Sequence, residues 1–172
     1  MITITITITT PTPTPTATDD FLSTKTFAAA PDTVFSALTD IDALTGWWTP
    51  AGGGADAGET LRFLMGEQQV VMRVEEADRP SRVRWSVLVC EAAPDWDGTS
   101  ITFDLEPVGA GTELRFHHHG LNPGLECFEQ CQAGWSRHLA SLVDFVDRGV
   151  GSPNPPADVE QFAAWRAQHA AH

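Results

Sequence analysis

The chain has 172 residues and a net charge of −13, from 23 acidic against 10 basic side chains. That balance opposes phosphate binding and argues against nucleic acid and against an anionic membrane surface as partners. No stretch approaches the roughly 18–20 apolar residues that span a bilayer, and the three cysteines are too few and too odd in number for a disulfide framework, so a cytoplasmic location is expected.

Residues 1–19 open with an Ile-Thr repeat and continue as a Thr-Pro repeat, and they read as a disordered low-complexity leader. Phe21–Phe27 predicts the first strand. Pro31 suits the first turn of a helix carrying Val34, Phe35 and Leu38, and a second short helix follows over Ile41–Trp48. Gly52-Gly53-Gly54 breaks that helix and reads as a hinge or pocket-mouth loop.

Four runs then alternate with period two: Thr60–Met65, Val70–Glu76, Arg82–Val89 and Ser100–Glu106. A last strand, Thr112–His119, turns Leu114, Phe116 and His118 inward and His117 and His119 to the other side. Leu125–Arg148 predicts one long helix whose buried face carries Phe128, Cys131, Trp135, Leu139, Leu142 and Val146. Residues 150–172 give a Pro-rich linker and a weaker amphipathic helix, which docks on the domain or bridges two copies as a homodimer.

Consecutive strands joined by short turns, followed by a long helix, specify an α+β fold with an antiparallel sheet. A twisted sheet cannot meet a straight helix everywhere, and the gap is where a ligand pocket is expected. Its predicted walls are Trp48, Phe63, Met72, Trp85, Phe103, Phe116, His118, Trp135 and Leu139, with a small hydrophobic molecule as the partner.

His118 and His138 are the candidates for proton chemistry or for orienting a ligand, against a plain hydrogen-bonded core role for His118. Cys127 and Cys131 lie one helical turn apart but lack further ligands at zinc spacing, so they read as small apolar side chains. The run His117-His118-His119 cannot converge on one ion as consecutive strand residues. No metal or cofactor is expected. Glu91, Asp95 and Asp97 around Trp96 read as a solvated acidic loop.

Several segments resemble a known family in order. They are Ala29–Asp40 with Leu44 and Trp47-Trp48, then Arg82-Val83-Arg84-Trp85, then Gly111-Thr112-Glu113-Leu114 through Gly120-Leu121, and finally Gly134-Trp135 with Leu139 and Leu142. Together they are similar to the heat-shock-protein-90 ATPase activator-like family, within the superfamily of birch-pollen-allergen-like and START-like (SRPBCC) domains. The resemblance spans Phe21–Gly149, so residues 20–149 are read as the domain. It implies a helix-grip fold of six or seven strands around a C-terminal helix, with a cavity for apolar or amphipathic molecules.

Members of that superfamily bind lipids, hormones and polyketides, and some catalyse cyclisation or dehydration. Binding without catalysis is the expectation here. A cofactor-free cyclase, dehydratase or hydrolase and a chaperone-related interaction module are the alternatives. Full-length eukaryotic co-chaperones carry a further N-terminal domain for which Met1–Thr18 is no substitute, so chaperone ATPase stimulation is not expected.

Overall fold

The computed structural model describes residues 20–170. The leader reading for residues 1–19 therefore lies outside the described residues. Seven strands, β1 (Phe21–Phe27), β2 (Ala51–Gly53), β3 (Thr60–Met65), β4 (Gln68–Asp78), β5 (Arg82–Cys90), β6 (Ser100–Val108) and β7 (Gly111–His119), form one antiparallel sheet in the order β1-β7-β6-β5-β4-β3-β2. Helices α1 (Pro31–Thr39) and α2 (Ile41–Trp47) connect the two edge strands, and α3 (Phe128–Arg148) lies across the inner sheet face. A short α4 (Val159–Gln168) closes the described chain. This is the α+β helix-grip architecture that the sequence implies. Among the described residues no helix is long and apolar enough to cross a membrane.

Alternation sets the inner face. Leu61 and Phe63, Val70, Met72 and Val74, Val83, Trp85 and Val87, Ile101, Phe103 and Leu105, and Leu114, Phe116 and His118 are all buried. Opposite them α3 buries Trp135, His138, Leu139, Ser141 and Leu142 before Gly149 ends the helix at φ 82°, a left-handed turn that suits glycine. Pro31 stands at the start of α1, and Asp40 caps α2 by accepting from the Ala43 amide at 2.9 Å.

Element ends shift by a residue or two from the sequence expectation, and two differences are larger. Gly52-Gly53 is not a free loop but the middle of edge strand β2, paired with Arg62 and Leu61. The missing side chain at Gly52 leaves room for the Trp165 ring of α4, which a Cβ would meet at 2.9 Å. Helix α3 starts at Phe128 rather than Leu125, because Asn122 ties residues 122–125 into a turn, accepting from Gly124 N at 3.0 Å and Leu125 N at 3.1 Å.

The C-terminal segment docks on its own domain. Arg166 donates to Ala51 O at 3.0 Å and Thr45 Oγ1 at 3.0 Å and pairs with Asp42 at 2.8 Å. Upstream, Asn154 N donates to Trp48 O at 2.8 Å, which lays the linker along the end of α2.

Candidate functional site

Most of the space between sheet and helix is filled by aromatic rings in contact. Trp48 stacks on Trp85 at 6.1 Å and 1° and tilts against Phe63 at 4.3 Å; Trp85 meets Phe103 at 4.9 Å, Phe103 meets Phe116 at 5.2 Å, and Phe116 meets Trp135 at 4.6 Å. Such offset and edge-to-face contacts stabilise a core beyond simple area burial. Phe63, Met72, Trp85, Phe103, Phe116 and His118 are buried by their inward strand register, and Leu139 by its helix face.

Packing fails at one end. There a cavity of about 220 Å³ opens between α3, the end of β5 and the loop after it. Trp48, Trp96 and Trp135 wall it with Cys90, Cys131 and His138, and Arg137 and Asn154 reach it from the linker side. Of the residues expected to line a pocket, Trp48 and Trp135 do so. Trp96 was hidden from sequence reasoning by its acidic neighbours. The chain bends through a 3₁₀ turn at Pro94–Trp96, which buries the ring and stacks it on Trp135 at 5.7 Å and 6°.

The two inward histidines differ in their hydrogen bonding. Trp135 Nε1–H donates to His118 Nδ1 at 3.0 Å, so the His118 proton sits on Nε2 and is donated to Thr99 Oγ1 at 2.8 Å. The Thr99 hydroxyl in turn donates to Trp96 O at 2.6 Å. Every member of this chain is satisfied, and burial pushes the imidazole pKa down to about 3. His118 therefore serves here as a neutral linking group, with neither nitrogen free to take a proton from a ligand.

His138 has a different balance. A guanidinium can only donate, so the 3.4 Å contact from Arg137 makes His138 Nε2 an acceptor and puts the proton on Nδ1. Nδ1 is buried and has no partner. Burial first, and Arg137 second, lower this pKa to about 4, so the ring is neutral near pH 7 while its buried Nδ1 stays without a hydrogen-bond partner. Arg137 also donates to Asn154 Oδ1 at 3.1 Å and leaves a positive charge at the rim.

The thiols are not poised as nucleophiles. Burial raises the Cys90 pKa and pushes Cys131 up to about 12, while Trp96 Nε1–H points at Cys131 Sγ over 3.2 Å. The acidic loop is held by Asp97, which accepts from Cys90 N at 2.7 Å, and by Glu91, which accepts from Gln69 N at 2.9 Å. These carboxylates brace the loop that carries Trp96. The arrangement is an aromatic-walled recess with a neutral imidazole in its lining and, among the described residues, no activated thiol beside it.

Comparison with known proteins agrees with this architecture. The family model described as "Activator of Hsp90 ATPase homolog 1-like protein" matches residues 28–147. The solution structure of the Aha1 dimer from Colwellia psychrerythraea superposes with a TM-score of 0.69 at 28% identity, covering 77% of this chain and 98% of that one. The crystal structure of CalU16 from Micromonospora echinospora gives 0.61 at 21% identity over 86% and 83% of the two chains. Protein MLL2253 from Mesorhizobium loti gives 0.65 at 19% identity over 74% and 96%. The latter two identities speak to fold alone. No curated relative matches the chain.

Proposed function

The chain belongs to the activator-of-Hsp90-ATPase homologue 1-like family, and from that premise we propose that its cavity binds a small, mainly aromatic molecule that carries a hydrogen-bond acceptor. The observation that supports this reading is a recess walled by Trp48, Met65, Trp96 and Trp135 with Cys90, Cys131 and the ring of His138, whose buried Nδ1 has no partner and would meet a bound acceptor after a modest turn of the ring. A buried donor left unmade costs about 1–3 kcal/mol, and a ligand acceptor would recover it.

Size narrows the class. A cavity of about 150 Å³ is enough for benzene, whereas drug-sized ligands occupy roughly 300–1,000 Å³. The 220 Å³ here matches one substituted ring, with any longer part of a ligand left outside the mouth. Arg137 at the rim favours a carboxylate or another anionic substituent. Binding is preferred over catalysis because His118 is fully engaged, the thiols are held protonated and His138 presents a donor rather than a base. A chaperone-directed interaction module would act through the outer sheet surface and leave this cavity idle.

Titration of the intrinsic tryptophan fluorescence with toluene, benzaldehyde and benzoate tests the reading, since these share a ring and differ in the acceptor. Benzaldehyde and benzoate are expected to quench saturably and to bind about tenfold tighter than toluene, the worth of one hydrogen bond. His138→Leu is expected to erase the preference for benzaldehyde and to reduce that for benzoate, which Arg137 also favours, while toluene binding survives. Absence of saturable quenching with all three compounds, or an unchanged preference in His138→Leu, would rule the proposal out.

A further inference from the structure

On the outer face of the sheet the end of β7 carries a second cluster, away from the cavity. His117 and His119 are two residues apart, so strand alternation sets them on one face, and their ring centroids stand 3.5 Å apart. Asp20 precedes β1, whose Phe21 pairs with His118, and this register brings Asp20 to the same spot. Its Oδ2 lies 3.0 Å from His117 Nε2, and one donor atom from each of Asp20, His117 and His119 falls within 4.8 Å of the others. Consecutive strand histidines diverge, but alternate ones converge.

We propose that Asp20, His117 and His119 bind a borderline divalent transition-metal ion of the Zn²⁺ type, which fastens edge strand β1 to β7. Two imidazoles and a carboxylate are a donor set that suits Zn²⁺, Cu²⁺ or Ni²⁺ rather than Ca²⁺ or Mg²⁺. Their donor atoms, within 4.8 Å of one another, would draw together on an ion held at about 2.0–2.2 Å from each. The cation would take the place of the proton shared between His117 Nε2 and Asp20 Oδ2.

Support for the ligands is already in place. Thr102, buried on β6 and paired across to His117, puts Oγ1 3.1 Å from His119 Nε2 and holds that ring. The side chains of His117 and Asp20 are 22% and 15% exposed, which shields them without closing the site. Arg84, whose β5 position pairs with Thr102, and then Arg82 are nearby charges that oppose a cation, so binding is expected to be moderate rather than tight. Three protein donors leave at least one position for water.

Calorimetric titration of the full chain, free of any affinity tag, with ZnCl₂ tests this, with Co²⁺ as the spectroscopic probe. One ion per chain is expected, without a thiolate charge-transfer band. Asp20→Asn, His117→Gln and His119→Gln are each expected to weaken binding by about tenfold or more. Cys127→Ser with Cys131→Ser should leave binding unchanged. Trace Cu²⁺ should broaden the imidazole NMR resonances of His117 and His119 before those of His138 and His169, a readout independent of any variant's stability. No heat of binding, undiminished affinity in the His117→Gln/His119→Gln pair, or loss of binding in the cysteine variant overturns the proposal; the first of these would leave Asp20–His117 as an ion pair alone.

Discussion

Replacing His118 with alanine is expected to lower the unfolding free energy by about 4 kcal/mol, read from denaturant titration at pH 7.5. The substitution empties a fully buried site and orphans a donor and an acceptor at once. Trp135 Nε1–H loses its acceptor and Thr99 loses the N–H that fixes its hydroxyl toward Trp96 O. The imidazole also gives the protein an acid-side instability. Its pKa is about 3 in the fold against 6.5 for a free side chain, so the unfolded chain binds the proton first. Stability is therefore complete above about pH 6.5 and falls as pH drops toward 3, with a slope of up to about 1.4 kcal/mol per pH unit. His138, lowered to about 4, pulls in the same direction over the upper part of that window. His118→Gln keeps the bulk and removes the titration, so it should be less stable at pH 7.5 yet lose its share of the slope between pH 6 and pH 4. An unchanged slope in that variant would refute the assignment.

Strands β1 and β3 to β7 and helices α1 and α3 are legible in the sequence because each repeats a burial period, whereas the short edge strand β2 does not. Inward Leu61, Phe63, Trp85 and Phe116 declare themselves by alternation, and Trp135, Leu139 and Leu142 by helical spacing. Whether an inward ring lines a void or fills it is not a periodic property. It depends on contacts such as Phe103–Phe116 at 5.2 Å between residues thirteen apart in sequence, and on the loop that returns Trp96 beneath α3. Trp96 sits between two aspartates, a pattern that locally means solvent, and only its hydrogen bond to Cys131 and stacking on Trp135 turn it inward. Docking of α4 is equally non-local, since Arg166 reaches Asp42, 124 residues upstream. The Asp20–His117–His119 cluster needs the β1–β7 register, which the alternation of either strand alone does not fix.

Gly134 allows occupancy of the cavity to be separated from integrity of the fold. It lies inside α3, where glycine costs about 1 kcal/mol relative to alanine, and it lines the cavity beside Trp135. A Cβ placed there would meet nothing within 4 Å. Open space therefore lies over a helix position where propensity argues for a side chain. Gly134→Ala is expected to raise stability by about 1 kcal/mol with a modest effect on probe affinity. Gly134→Phe projects a ring into the space a ligand ring would take, and benzaldehyde affinity should drop by more than about tenfold while the thermal midpoint holds or rises, because the ring adds apolar contacts and removes a helix-weakening glycine. Ordinary site variants lose binding together with stability and so cannot tell a ligand cavity from a packing defect. Here the two readouts move in opposite directions, and a Gly134→Phe protein that bound benzaldehyde as wild type does would place the ligand elsewhere.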